Sequence, residues 1–246
     1  MTTKELDKEF SRQVFDNSSQ SMLEHCKELA AMYAETENVI AVLSDLKEKH
    51  SYLCFGGIVS TLAVDRRKLP SQINSIWENE VFSIIHPDDL QRKHIEELQF
   101  FHFISKQPSL KRQHYYLASP LRMKTSSGSY IEVLHRIYYF ESKASDSVRM
   151  ALCLYGMPTQ HLDKAIVVDT VTGELTSLEE SGESLLSKRE LDVLRLVAQG
   201  AKSIQIADAL CISVHTVSRH RQNIIEKLQV SNSTDACTLA KKMQLI

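Results

Sequence analysis

Between Ser213 and Leu228 the chain reads SVHTVSRHRQNIIEKL, the densest run of side chains able to read a nucleic acid. At 100° per residue, Val217, Ile224 and Leu228 fall within about 40° of one another on a helical wheel. His215, Ser218, Arg219, Gln222 and Glu226 centre on the opposite side. A helix that only filled a core would not place so many long polar side chains on one flank. Their donors suit phosphate oxygens and base edges, and an α-helix has the width of the major groove.

Other groups with chemical potential fall away on spacing. His86, His94 and His102 recur every eight residues, so successive rings drift by about 80° around a helix and share no metal-binding face. Asp88 and Asp89 beside His86 have no nucleophile or oxyanion donor in company, which argues against an enzyme. Asp45 ends an apolar strand as a phospho-acceptor does, yet residues 4 to 35 read as helix and supply no acidic pair after a first strand. The five cysteines are odd in number and form no C-x-x-C pair, so neither a disulfide framework nor a zinc knuckle is expected. Cys54 and Cys153 read as small buried apolar residues. No cofactor and no metal site are predicted. The charged start MTTKELDKEF and the lack of a bilayer-length apolar run predict a cytoplasmic protein with no membrane contact.

The elements that hold the polar flank in place are written around it. Ser187 and Glu190 have capping-box spacing, so a helix is predicted from Lys188, with Leu191, Leu194, Val197 and Ala198 as its buried stripe and Gly200 at its end. A second helix follows from about Ser203 to Leu210, burying Ile206, Ala207 and Leu210, and Ser213 caps a third. Two helices with this short a break form a helix-turn-helix. From Glu183 onward nine Lys/Arg stand against six Asp/Glu, a balance of +3, while the remainder carries −5, as befits a small module for an anionic partner.

The first 160 residues of the 246 mix both periodicities. VIAVLSDL and SYLCFGG read as strands joined by a turn at Lys47 to His50. Asp88 is the expected cap of a helix carrying Leu90, Ile95, Leu98, Phe101 and Ile104 beneath a polar surface. Three β-rich runs follow, the first two joined at Ser126-Ser127-Gly128. Residues 161–182 are expected to form a linker with a small hairpin around Thr172-Gly173, running into the acidic stretch Ser177 to Ser184; residues 183–246 are the helical module.

LSKRELDVLRLVAQGAKSIQIADALCISVHTVSRHRQNIIEKL and the following VSNSTDA resemble the four-helix DNA-binding module of LuxR/NarL-type bacterial transcription regulators. The resemblance rests on Leu186, Ser187, Glu190, Gly200, Ile206, Ala207, Thr216, Val217, Ile224, Lys227, Leu228 and further residues at matching spacing. It implies that the third helix enters the major groove of a specific duplex and that the fourth, about Ser233 to Met243, forms the dimer contact, as it often does in the family; the apolar Ala236, Cys237, Ala240 and Met243 on it suit either a homodimer face or ordinary core. It makes Ser218, Arg219 and Gln222 the readers, with Lys202, Ser203, His215, Thr216, Asn223 and Lys227 completing the expected DNA-contact set. The sequence departs from the family at Ile204, Gln205, Ser218 and Ser233, which sustains an alternative: a protein- or small-molecule-binding signalling protein whose helical module has weak DNA affinity. The order of two strands, helices and three strands, with His86-Pro87-Asp88-Asp89 ahead of a helix, resembles the PAS sensor family. That likeness implies an α+β antiparallel sheet that senses a signal, takes a small-molecule ligand or pairs subunits. The expected fold is therefore two-domain, α+β followed by all-α.

Overall fold

The computed structural model describes residues 4–15, 20–66, 69–141, 147–178, 186–228, 230–243 and 245–246. The chain divides into two compact units, broken between Gly182 and Glu183.

The amino-terminal unit opens with α1 (Lys4–Ser11) and α2 (Gln20–Thr36), then β1 (Ile40–Asp45) and β2 (His50–Phe55). A two-residue strand β3 (Gln72–Ile73) precedes α3 (Asn79–Phe82), α4 (Pro87–Lys106) and α5 (Ser109–Arg112). The long strands β4 (Tyr115–Lys124), β5 (Tyr130–Glu141) and β6 (Val148–Gly156) follow, and β7 (Ile166–Asp169) and β8 (Leu175–Ser177) close the unit. All pair antiparallel in one sheet of order β3-β2-β1-β6-β5-β4-β7-β8. Two strands, helices and three strands in a single antiparallel sheet are the PAS-like arrangement that the sequence implies.

Strand alternation sorts the core into two layers. Ala41 and Leu43 of β1 with Met150, Leu152 and Leu154 of β6 pack on Cys26, Ala30 and Ala34 of α2. Ile40 and Val42, with Ala151, Cys153 and Tyr155, turn the other way and meet Phe100, Phe101 and Ile104 of α4. With helices on both faces, β1 and β6 are buried at every residue, which is why VRMALCLYG reads as a continuous apolar run and not as alternation.

Four expectations need correction. The helical stretch from residue 4 to about 35 is two helices; α1 ends at Ser11, and residues 16–19 lie outside the described residues. The cap of α4 is His86, whose Nδ1 accepts the Asp88 backbone N–H at 3.3 Å, with Pro87 in the first turn where a missing N–H costs nothing. The polar surface expected over α4 is covered through the middle of the helix: Asp89, Lys93, His94, Glu96, Glu97 and Gln99 are all buried. Their solvent is other protein, as when Asp89 takes the Arg122 backbone N–H at 2.8 Å and its guanidinium at 2.8 and 2.9 Å. Burial pushes the Asp89 carboxyl up, and these Arg122 bonds outweigh it, so its pKa lies below the ordinary range. The Thr172-Gly173 hairpin forms, with Gly173 at a φ of 75° that favours glycine, but it is no free linker, because β7 pairs with β4 and extends the sheet. Most of the acidic stretch Ser177 to Ser184 lies outside the described residues.

Candidate nucleic-acid interface

The carboxy-terminal unit contains α6 (Lys188–Ala198), α7 (Ser203–Leu210), α8 (Val214–Leu228) and α9 (Ser233–Lys242). Its first helix starts on a complete capping box: Ser187 Oγ accepts the Glu190 N–H, and Glu190 Oε2 accepts the Ser187 N–H at 2.7 Å. The buried face of α6 is Glu190, Val193 and Leu194, rotated from the expected stripe; Leu191, Val197 and Ala198 are only half-buried. Gly200, at a φ of 84°, ends that helix. The next begins as Gln205 Oε1 takes the Lys202 N–H at 2.8 Å, so a neutral glutamine performs the reach-back of a capping acid. Ile206 and Ala207 are its buried residues, with Leu210 half-exposed.

Cys211 closes α7 in the left-handed region at a φ of 52°, letting the Ile212 N–H reach the Ala207 carbonyl at 3.0 Å. Ser213 Oγ then accepts the Thr216 N–H at 3.0 Å and caps α8. That helix is held by Val217, Ile224 and Leu228, which are 0, 2 and 0% exposed. The opposite flank presents His215, Ser218, Arg219 and Gln222 to water. Among the described residues no hydrogen bond or ion pair holds His215 or Arg219. Gln222 donates to Glu226 Oε1 at 3.1 Å, and Ser218 Oγ to the Val214 carbonyl, both weak local bonds that a base edge can displace. Lys202 is exposed and Asn223 half-buried, while the Thr216 hydroxyl lies 2.8 Å from Ser213 Oγ.

Two further members of the expected contact set, Lys227 and Ser203, meet side chains of other helices. Lys227 Nζ lies 2.7 Å from the buried carboxylate of Glu190, tying α8 to α6. Burial pushes the Glu190 carboxyl up, and the bonds from Lys227 and from the Ser187 backbone outweigh it, holding the group below the usual carboxylate range. Ser203 Oγ accepts Arg221 Nη1 at 3.1 Å, while Arg221 Nε donates to Ser233 Oγ at 3.1 Å. Arg221 therefore braces α8 against the starts of both α7 and α9, and Ser233, a departure from the family, is the acceptor that the brace uses. His220 is half-buried with Nδ1 enclosed, a packing residue. Of the four residues expected as a dimer face on α9, Ala236 and Ala240 are buried within the unit and Cys237 and Met243 are half-buried; among the described residues of the helix Thr234, Asp235, Thr238 and Lys241 are exposed.

Two apolar side chains are exposed at helix starts, Ile204 at 65%, which the sequence already marks as a departure from the family, and Val214 at 43%, which sequence reasoning missed. Val214 is in line with Ser218 and Gln222 at i, i+4 and i+8, so it adds an apolar patch to the same exposed flank. Its signal was available as an apolar residue directly after a capping serine.

A second polar concentration lies in the amino-terminal unit, beneath α4. Lys93, 2% exposed, is 2.7 Å from Glu97 and over the ring of Phe82, and Tyr155 donates to Glu78 at 2.9 Å. Glu97, His135 and Cys153 each turn a donor atom toward the others within 4.8 Å. A cavity of about 30 Å³ adjoins, lined by Leu6, Phe10, Trp77, Glu97, Tyr139 and Cys153 among others. Asp45, wholly buried, is 3.3 Å from Arg149 and accepts the Lys47 and Glu48 N–H groups, the duties of a structural turn residue. A wider groove of about 320 Å³ runs between α2 and β2, past Glu35, Cys54, Phe55 and Arg66. Among the described residues no helix is long and apolar enough to cross a membrane.

Residues 184–240 match the family described as bacterial regulatory proteins, luxR family, so the chain carries a LuxR-family domain in its carboxy-terminal unit. The transcriptional regulatory protein LiaR of Bacillus subtilis is 39% identical over 77 residues, 29% of this chain and 36% of the relative. The nitrate/nitrite response regulator protein NarP of Escherichia coli is 44% identical over 66 residues, 27% of this chain and 31% of the relative. The matched segment thus spans about a third of these relatives' length. Among solved structures, the phage VqmA–DPO complex aligns over 92% of both chains at 14% identity and a TM-score of 0.35. A sensory box histidine kinase/response regulator of Burkholderia thailandensis covers 50% of this chain and 79% of its own at 14% identity and a TM-score of 0.34.

Proposed function

We propose that this chain is a bacterial, cytoplasmic transcription regulator that binds a specific DNA duplex through α8, with the PAS-like unit sensing a signal or pairing subunits. One observation carries the reading: α8 is pinned from one side by Val217, Ile224 and Leu228, while His215, Ser218, Arg219 and Gln222 are exposed on the other. Arg219 suits guanine and Gln222 suits adenine, each such pair being worth about 1–3 kcal/mol of discrimination. Thr216 and the first turn of α8 suit phosphate, where free N–H groups and the positive dipole end favour an anion. The reading is not enzymatic, in keeping with relatives that are named as regulators. The assembly is a homodimer, and the buried Ala236 and Ala240 serve the unit's own core.

The test is a fluorescence-anisotropy titration of the full chain against fragments of its own genome at several salt concentrations. The expected result is a duplex bound at least a hundredfold more tightly than random DNA, with Arg219→Ala plus Gln222→Ala removing most of that ratio. Wild-type protein that prefers no fragment, or a double variant with unchanged selectivity, rejects the reading. Light scattering at saturating protein gives two chains per site if the dimer is right and one if it is not.

A second reading, a partner- or ligand-binding protein with weak DNA affinity, draws on the exposure of Ile204 in the first turn of α7, where an apolar side chain does nothing for a phosphate. Heparin chromatography separates the two: early elution at low salt favours this one.

A further inference from the structure

Deep in the amino-terminal unit, α4 contributes Glu97, β5 contributes His135 and β6 contributes Cys153. These side chains come from three elements and are 4, 0 and 6% exposed, yet a carboxylate oxygen, an imidazole nitrogen and a thiol sulfur lie within 4.8 Å of one another. From this geometry we infer that Glu97, His135 and Cys153 form a binding site for one divalent transition-metal ion, with Zn²⁺ the best match to the donors.

His135 supplies the independent observation. Both of its ring nitrogens are enclosed, and neither has a hydrogen-bond partner among the described residues. A neutral imidazole always keeps one nitrogen with an unspent lone pair, and here that lone pair is buried. The nearest carboxylate oxygen, on Glu97, is 3.5 Å from Nε2, a separation that two ligands of one ion adopt. Bonds of about 2.0–2.3 Å from zinc to N, O and S in a tetrahedron put donors roughly 3.3–3.6 Å apart. Burial and the neighbouring Lys93 charge both keep the ring neutral, the form that ligates.

The surroundings fit a three-ligand centre with an open position. The adjoining cavity of about 30 Å³ is lined by Glu97 and Cys153 and has room for a water as fourth ligand. Charge balance agrees. Within the cluster one ammonium, Lys93, serves two carboxylates, Glu97 and Glu78, leaving one negative charge in excess. An M²⁺ ion that binds with release of the Cys153 thiol proton to solvent adds one positive charge and neutralises the cluster. Burial holds that thiol protonated in the absence of an ion, and a bound metal removes its proton outright. A buried water is the competing occupant: it satisfies one ring nitrogen but has no use for the sulfur. The site lies wholly within the amino-terminal unit and stands or falls independently of DNA binding.

The test uses the full chain, reduced, stripped with a chelator and titrated with Co²⁺ and then Zn²⁺. The site requires one equivalent of Co²⁺, a near-ultraviolet band from thiolate-to-cobalt charge transfer, tetrahedral visible absorption, and displacement by Zn²⁺. Cys153→Ser should abolish the near-ultraviolet band, and His135→Gln should weaken binding at least tenfold, with far-ultraviolet circular dichroism confirming the fold of each. Should either variant fail to fold, X-ray absorption of the cobalt-loaded wild type decides, since the site demands one sulfur in a shell otherwise of nitrogen and oxygen. A folded wild-type chain with no charge-transfer band, a band that survives in Cys153→Ser, or a cobalt shell with no sulfur overturns the proposal and leaves a buried water only.

Discussion

Helices α4 and α8 are both rich in charge, and the structure uses that charge in opposite ways. In α4, Asp89, Lys93, Glu96 and Glu97 are enclosed and answered by other side chains, so the helix is polar inside its own unit. In α8 the enclosed residues are Val217, Ile224 and Leu228, and His215, Arg219 and Gln222 face outward. The difference lies in what replaces water around the charge. A buried ammonium needs a carboxylate within reach at all times, whereas an exposed guanidinium without a protein partner can exchange water for a phosphate or a base edge when one arrives. Polarity inside thus has to be answered within the fold, and polarity outside stays available to a partner.

Breaking the inner arrangement should have the largest effect. Lys93→Met leaves Glu97 and Glu78 facing each other without their ammonium and should cost about 3–5 kcal/mol, with Glu97→Leu in the same chain restoring much of it. Urea unfolding followed by fluorescence of the single tryptophan, Trp77, reads the amino-terminal unit alone. A loss under 1 kcal/mol would mean that water already reaches the pair.

The outer arrangement is sharpened by two arginines two positions apart on α8. Arg221→Ala removes hydrogen bonds from a charged donor to Ser203 and Ser233 and should destabilise the carboxy-terminal unit by about 1.5–3 kcal/mol. Arg219→Ala should change stability by no more than about 0.5 kcal/mol while weakening DNA binding. Circular-dichroism melts paired with anisotropy titrations test both. If the two variants behave alike, brace and reader are not separate roles.

The amino-terminal unit should also respond to acid, through a buried neutral histidine. His94, edge-on to Trp77 and Phe82, is pushed down to about 3 by burial and by the adjacent Lys93 charge. A depressed histidine pKa means that the unfolded chain takes up a proton below about 6.5 and the folded chain does not. Stability is therefore fully present above 6.5 and lost as pH falls toward 3, by about 1.4 kcal/mol per pH unit for one proton. Glu96 works against this slope: burial raises it to about 7, so it binds its proton in the folded state first. Comparing wild type with His94→Phe between pH 7 and 5 isolates the histidine contribution, and the variant should lose less stability on acidification. Equal slopes would show that His94 is not buried neutral.

How far the sequence reveals these roles follows from the same contrast. The carboxy-terminal unit was legible almost residue by residue, because its signals are local: Ser187 with Glu190, Ser213 ahead of Thr216, and an apolar stripe at helical spacing. The Arg221 brace and the Lys227–Glu190 ion pair were not legible in the sequence, because these partners lie 12, 18 and 37 positions away, beyond any helical period. The same limit hid the chemistry under α4. Glu97, His135 and Cys153 have no common spacing and meet only because β5 and β6 pair and α4 lies over them. Charge at helical intervals reads as a wet surface until the covering layer is known, and that layer was written elsewhere in the chain.

Cys211 is the smallest and most local case. It holds a φ of 52° at the end of α7, in the turn that sets α8 against its neighbours. For a residue with a Cβ, that conformation costs about 1–2 kcal/mol. Glycine removes the clash but frees the unfolded chain, which takes back about 0.4–1 kcal/mol. Cys211→Gly should therefore stabilise the carboxy-terminal unit by about 0.5–1 kcal/mol, read from its thermal melt, and DNA affinity should stay the same because the backbone already adopts the geometry that glycine prefers. A stabilised variant with weakened DNA binding would show instead that the exposed Cys211 side chain takes part in the contact, and the reading surface would then extend from α8 back into the turn.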